Sequence, residues 1–576
     1  MSQDTASDAG MRIEWDVPIT VDDGLVLRAD VFRPDDDERH PVIVTYGPYA
    51  KGLHFEDGYP DQWHAMCAEH PDVAAGSSNR YQAWELPDPE KWVPHGYVCL
   101  RVDSRGAGAS PGVIDPFSAR ETEDFYECIE WAAEQPWSNG RIGLSGISYY
   151  AINQWQVAAL RPPHLAAICV WEGAADWYRD SAHHGGILCT FSDNWYRHQV
   201  ETVQHGVGER GGRSRATGAL VTGDVTLTAQ QLSANRVDFG ADVREHGLVD
   251  DYFAPRIPDL SRIEVPVLSA GNWGGHGLHL RGNTEGFMRA GSARKWLEIH
   301  GLAHWTHYYT DYGREIQRQF LDHFLKDADN GWDRRPAVSL NIRRVDGTFA
   351  LRGEEAWPIP RTRWTKLHLD AASRTLSPQP VAKAGTLSYP GMGEGASFTW
   401  TLDAETEITG PLAAKLFVSC ASEDADLFLV VRAFDPGGAE VTFQGALEPH
   451  SPLAHGWLRG SHRKLDPALT LPYRPYHAHD ERQPLTPGEI YELDIEIWPT
   501  CVVLPAGYTL ALSVQGVDYR YSDRVERFGW FEMSGVGPFK HDVAADRPAS
   551  VFGADVTLHT GAQTPAYLLL PIVPAA

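Results

Sequence analysis

Residues 141–160, RIGLSGISYYAINQWQVAAL, constrain this chain more than any other segment. A short apolar run ends at Ile147, Ser148 follows, and a helical stretch begins at once. A strand turning this sharply into a helix lifts the serine hydroxyl toward solvent and leaves little room around it, so small residues are needed on both sides. Gly146 and Ala151 supply them. Ala151 comes three residues after the serine, whereas the GxSxG form places glycine two after, so the pattern is not met to the letter. Free N–H groups at the helix start would face an oxyanion. An ordinary N-cap serine also looks like this, and the turn by itself leaves both readings open.

The surroundings favour a layered α/β domain. Residues 41–47 (PVIVTYG), 97–106, 164–173, 265–273 and 295–301 are short apolar runs of the kind buried on both faces of a parallel sheet. Residues 119–135 and 314–326 carry helical spacing between them, with Phe125, Cys128, Ile129 and Ala132 on one face and Pro136 as the stop. The alternation predicts a doubly wound α/β sheet, preceded by an edge hairpin over 13–34. It fails between Asp176 and Arg262, which reads as an inserted, mainly helical cap above the carboxyl ends of the strands. After about residue 360 the chain turns to long alternating stretches separated by Gly and Pro turns, the pattern of an all-β jelly roll. The expected division is 1–175 and 262–360 for the α/β core, 176–261 for the cap and 361–576 for the β-sandwich.

Charge narrows the partners. With 77 acidic against 50 basic residues the formal net charge is −27, which repels nucleic-acid phosphates and anionic membranes. No apolar run is long enough to span a bilayer. Residues 1–10 lack the basic start and apolar stretch of a leader. Seven scattered cysteines, without a CxxC pair, fit a reduced cytoplasmic protein with buried thiols.

Three motifs then point the same way. GLSGISYYAINQWQVAA resembles the Gly-x-Ser-Tyr-x-Gly turn of the cocaine-esterase and X-Pro dipeptidyl-peptidase family of α/β-hydrolase serine hydrolases. Gly-Pro-Tyr at 47–49 with Lys51 is similar to that family's Pro-Tyr-x-Lys. Residues 102–106, followed by Gly-Ala-Ser-Pro-Gly, are similar to its Asp-x-Arg-Gly loop. The expected layout of core, inserted cap and C-terminal jelly roll also agrees. The resemblance implies that Ser148 is the nucleophile, and that Tyr49 and the Tyr149 backbone N–H form the oxyanion hole, since a tetrahedral oxyanion needs two aimed donors. Asp103 and Arg105, at a strand end, read as a bracing ion pair.

A serine needs a base and the base needs an acid. The resemblance implies a histidine a few residues beyond Gly301, which gives His304, with His307 as the alternative; His300 reads as packing. Relatives carry Asp in a Gly-Trp-Tyr-Asp-Gly turn, but the matching segment 270–277 is AGNWGGHG and puts Gly274 there. Either the site is degraded or the acid comes from a neighbouring strand. Glu172, at the carboxyl end of the 164–173 run, is the candidate; Asp176 and Glu285 are the others.

The long excursion 53–90 follows Tyr49 and reads as pocket rim, with Trp63, Trp84, Trp273 and His276 as candidate wall residues. His276 and His279 have HxxH spacing and His183–His184 are adjacent, but no HExxH or Cys/His set accompanies them, so no metal or other cofactor is expected. The reading is a serine hydrolase for a small-molecule ester or amide. An X-Pro dipeptidyl aminopeptidase, gripping a substrate ammonium with cap carboxylates such as Asp193, Glu201 and Glu209, is the rival enzyme. A non-catalytic binding protein with a degraded triad is the rival of another class. A homo-oligomer stays open.

Overall fold

The apolar runs pair edge to edge. The structure, a computed structural model, describes residues 5–522 and 525–574. Residues 1–4 of the polar N-terminal stretch lie outside the described residues. Seven strands run parallel in the order Val98–Asp103, His40–Gly47, Ser138–Ile147, Leu165–Trp171, Val267–Asn272, Lys295–His300, Val338–Arg343. The hairpin Met11–Thr20 and Val26–Pro34, with the short strand Thr5–Asp8 outside it, adds antiparallel at one edge, and Phe349–Glu354 does so at the other, giving a mixed sheet of 11 strands.

Side chains alternate across this sheet, and both sets are buried. Val42, Val44, Ile168 and Val170 pack under the helices Ala119–Ala133 and Tyr149–Ala159. Ile43, Cys99, Ala167 and Cys169 face the helix Asp311–Lys326 through Ile316, Phe320, Leu321 and Leu325. Helix Ala119–Ala133 begins where Ser118 caps the Glu121 N–H, and its buried stripe is Phe125, Cys128, Ile129 and Ala132.

Between Trp171 and Val267 the chain leaves the sheet. It forms a two-residue hairpin (His183–His184 with Ile187–Leu188), π-helical turns at Tyr178–Ala182 and Tyr196–Val200, and short helices at Phe191–Trp195, Ala229–Ala234 and Phe239–Glu245. From Arg363 the chain is almost all β. Strand Thr406–Cys420 pairs with both Tyr491–Leu504 and Tyr567–Val573, so a sheet of 12 strands closes on itself around Leu416, Leu429, Ile495, Leu512 and Leu568. Closure leaves few open edges to protect.

Arg281 ties these parts together. It sits on helix Leu280–Arg289, is 2% exposed, and bonds Asp180 of the insertion at 2.8 Å and Glu496 of the β domain at 2.9 Å. Arg281→Leu strands these carboxylates, Asp180 without any exposure, and is expected to destabilise the fold by about 3–5 kcal/mol. Urea unfolding would read this as a lower midpoint at unchanged slope.

Candidate active site

The strand ends define the site. Ser148 sits between strand Ser138–Ile147 and helix Tyr149–Ala159 with φ 55° and ψ −114°. A non-glycine residue held there costs about 1–3 kcal/mol and persists only where its surroundings enforce it. Gly146 explains the enforcement: a Cβ there would lie 2.4 Å from Tyr150 Cβ. Ala151 is fully buried, and its methyl lies 2.8 Å from where a Cβ on Gly173 would be, so the second small residue packs against the next strand end. The Ser148 N–H is shared between the Trp171 and Glu172 carbonyls, both at 3.2 Å. Ser148 and Glu172 therefore terminate neighbouring strands side by side.

Glu172, at φ 48°, is fully buried and every carboxylate contact is a donor. His304 Nδ1 donates to Oε2 at 2.7 Å. His300 Nε2 and Asn272 Nδ2 donate to Oε1 at 2.9 and 3.2 Å. His300 Nδ1 in turn donates to Glu298 Oε2 at 2.7 Å. His300 packs, stacked on Trp171, and it also clamps Glu172 from behind. Burial alone would raise the Glu172 carboxyl, but the His304 and His300 rings hold it down at about 2. Burial alone would lower His304, yet the Glu172 charge and hydrogen bond, with Glu85 adding to them, push it up to about 10.

Gly274 shows why no acid stands in the expected turn. A Cβ there would lie 2.3 Å from Gly445 Cα and 2.7 Å from the Ala446 nitrogen. The β domain's backbone fills that space and is bonded into it: Ala446 N–H donates to Gly274 O, and His304 N–H donates to Ala446 O, both at 2.9 Å. The other acid candidates are engaged elsewhere, Asp176 by Arg179 and Glu285 by Arg474, each at 2.6 Å.

Sequence reading missed Glu85. It lies in the 53–90 excursion at φ 61°, is buried, and its Oε1 accepts from His304 Nε2 at 3.2 Å. Burial pushes this carboxyl up to about 7, against the opposing pull of His304. Its backbone carbonyl accepts from Ile147 N–H at 3.2 Å, which anchors the excursion beside the Ser148 turn. Nothing local marks this glutamate; only the pairing of a remote loop brings it in. His279, weighed above as half of an HxxH pair, stacks on His304 with ring centroids 5.0 Å apart.

Tyr49 is buried next to Tyr149, and its hydroxyl oxygen accepts from Trp195 Nε1 at 2.8 Å. That leaves the hydroxyl hydrogen free to donate elsewhere. The Tyr149 side chain donates to the buried Glu121, which fixes the first helical turn and its backbone N–H. Trp84 adjoins Glu85 and stacks on Tyr59, while Trp63 packs behind them on Phe55. Trp273 and His276 are not brought to this group. Trp273 donates to Asn341 O and packs on Trp357; His276 packs on His455 and Trp498 of the β domain. Asp103 and Arg105 do not pair with each other. Asp103 accepts from the Lys51 and Ala109 N–H groups, and Arg105 binds Asp124 and Asp23.

A strained serine beside a buried histidine–carboxylate pair is the arrangement of a serine hydrolase, and the comparisons agree. The X-Pro dipeptidyl-peptidase (S15 family) matches residues 23–309, and the X-Pro dipeptidyl-peptidase C-terminal non-catalytic domain matches 330–568. A CocE/NonD family hydrolase from Staphylococcus aureus superposes with TM-score 0.84 at 32% identity, covering 98% of this chain and 94% of that one. The cocaine esterase of Rhodococcus sp. is 24% identical over 98% of this chain and 99% of its own length. A putative serine esterase of Mycobacterium bovis is 24% identical over 87% and 90%. The chain is a serine hydrolase. It belongs to the CocE/NonD family of hydrolases, within the wider S15 group. Among the described residues no helix is long and apolar enough to cross a membrane.

Glu172→Gln is expected to lower kcat by about 10³–10⁴-fold in folded protein, because the neutral amide no longer compensates or orients the His304 imidazolium. Adding Gly274→Asp should not restore the rate, since the Gly445–Ala446 backbone occupies that space. Steady-state kinetics alongside circular dichroism check both.

Proposed function

We propose that this chain hydrolyses a carboxylic ester or amide of a small molecule through an acyl-enzyme on Ser148. The observation that carries the reading is the 2.7 Å bond from His304 Nδ1 to Glu172 at the strand end adjoining Ser148. Ser148 Oγ attacks the carbonyl carbon while His304 Nε2 takes its proton. The oxyanion receives the Tyr49 hydroxyl hydrogen and the Tyr149 N–H. Collapse expels the alcohol or amine, which leaves with the proton held by His304. Water then attacks the acyl carbon by the same relay and frees Ser148.

Glu85 adds a condition to this cycle. Its carboxyl group holds the nitrogen that must receive the Ser148 proton, so above about pH 7, where Glu85 is charged, the resting form is an imidazolium bound by two carboxylates. The ring becomes a base when substrate displaces Glu85 or when the pair loses its proton. Tyr59 stacks on Trp84 beside Glu85 and also lines a cavity of about 500 Å³ with Gln62, His198 and Trp530. This cavity is the route we assign to substrate.

The X-Pro dipeptidyl aminopeptidase reading needs a carboxylate for the substrate ammonium. The three insertion carboxylates weighed for that grip are already paired, Asp193 with Arg197 and Arg244, Glu201 with Arg236 and Glu209 with Arg213. This favours esters and amides without a free N-terminus. Nitrophenyl acyl esters should turn over and an X-Pro anilide should not; the reverse preference would reassign the substrate class.

Two variants test the assignments. Ser148→Ala should lower kcat on the order of 10⁶-fold. Glu85→Gln removes a negative partner of the imidazolium, so the rise of kcat/KM with pH should move to lower pH. An unmoved profile would separate Glu85 from His304.

A further inference from the structure

The insertion hairpin and the β domain meet at a cluster outside the catalytic group. His184, Cys189 and His541 place two ring nitrogens and a thiol sulfur within 4.8 Å of one another, and all three residues are buried. Their hydrogen bonds fix where the ring protons sit. His184 Nε2 faces the Asp180 carbonyl at 3.1 Å, which can only accept, so Nε2 carries hydrogen. His541 Nδ1 faces Asp518 Oδ1 at 2.8 Å, and the same carboxylate accepts the His541 backbone N–H at 2.7 Å, so Nδ1 carries hydrogen. The remaining nitrogens, His184 Nδ1 and His541 Nε2, point at each other at 2.8 Å. In neutral rings with these tautomers both are bare lone pairs that repel, and a cation between them pairs both.

We propose that His184 Nδ1, His541 Nε2 and Cys189 Sγ bind a borderline-soft divalent cation of the zinc class. Two imidazoles and a thiolate are a zinc-type donor set, and three protein ligands satisfy all but one tetrahedral position. The outer partners suit it too. A metal-bound imidazole ordinarily donates its other N–H to a carboxylate or a backbone carbonyl, and Asp518 and Asp180 O fill these roles. Nitrogens bound at about 2.0–2.1 Å in a tetrahedron lie about 3.3 Å apart, so seating the ion parts the rings by about 0.5 Å. His184 lies in the insertion hairpin and Cys189 directly follows it, and His541 belongs to the β domain. The ion would pin the hairpin onto that domain, also joined where Thr190 N–H donates to Lys540 O at 2.9 Å. Sequence reading passed over this cluster because His541 stands 357 residues from His184. The rival is a single proton: an imidazolium at His541, paired with Asp518, donating to His184.

The test is metal analysis of full-length protein expressed with zinc. The proposal expects one zinc per chain, released by a strong chelator with a lowered Tm. Cobalt refilling should give a thiolate-to-cobalt charge-transfer band that Cys189→Ser loses while the protein still folds. Should Cys189→Ser fail to fold, the chelation and refilling of the unaltered chain still decide. Zinc at buffer level with no cobalt band in the unaltered protein would overturn the proposal in favour of the shared proton.

Discussion

The approach of the Gly445–Ala446 backbone to Gly274 governs the arrangement of this site. Two hydrogen bonds of 2.9 Å lock the β domain to the turn after Val267–Asn272 and to His304 itself. A docked domain leaves no volume for a carboxylate at 274. It also sets the backbone from which His304 projects. The imidazole so placed meets the end of the next strand, where Glu172 is long enough to reach it. A domain described in its family as non-catalytic thus shapes the proposed catalytic geometry from outside.

Around that constraint the polar groups form one chain: Glu298, His300, Glu172, His304 and Glu85, with consecutive contacts of 2.7, 2.9, 2.7 and 3.2 Å. Buried charges are tolerable only when paired and hydrogen-bonded. Here acid and imidazole alternate, so each member's partners stabilise its charged form. Three residues of the neighbourhood, Ser148, Glu85 and Glu172, hold positive φ. Such strain is sustained by tight packing of the surrounding strand ends.

Much of this was legible in sequence because it is local. Buried parallel strands announce themselves as apolar runs, and all five runs that were read became core strands. The sharp turn at Ser148, the strand-end position of Glu172 and the loop carrying His304 follow from the same pattern. What was not legible depends on distant contacts. Glu85 and the fate of Gly274 are decided by segments that only the folded chain brings near. Trp273 and His276 sit in the right turn but are turned away from the group, Trp273 onto Asn341 and Trp357 and His276 onto His455 and Trp498 of the β domain. Asp103 looked like Arg105's partner by spacing, yet backbone N–H groups claim it first.

The central claim is that Ser148, His304 and Glu172 act as one unit while Glu85 holds the imidazole at rest. A crystal structure of the protein inactivated by a fluorophosphonate tests it most directly. The account predicts phosphorus bonded to Ser148 Oγ, the phosphoryl oxygen between the Tyr49 hydroxyl and the Tyr149 N–H, and His304 Nδ1 still on Glu172 with Nε2 turned from Glu85 toward the adduct. An adduct on another residue, or a His304 no longer bonded to Glu172, would contradict it.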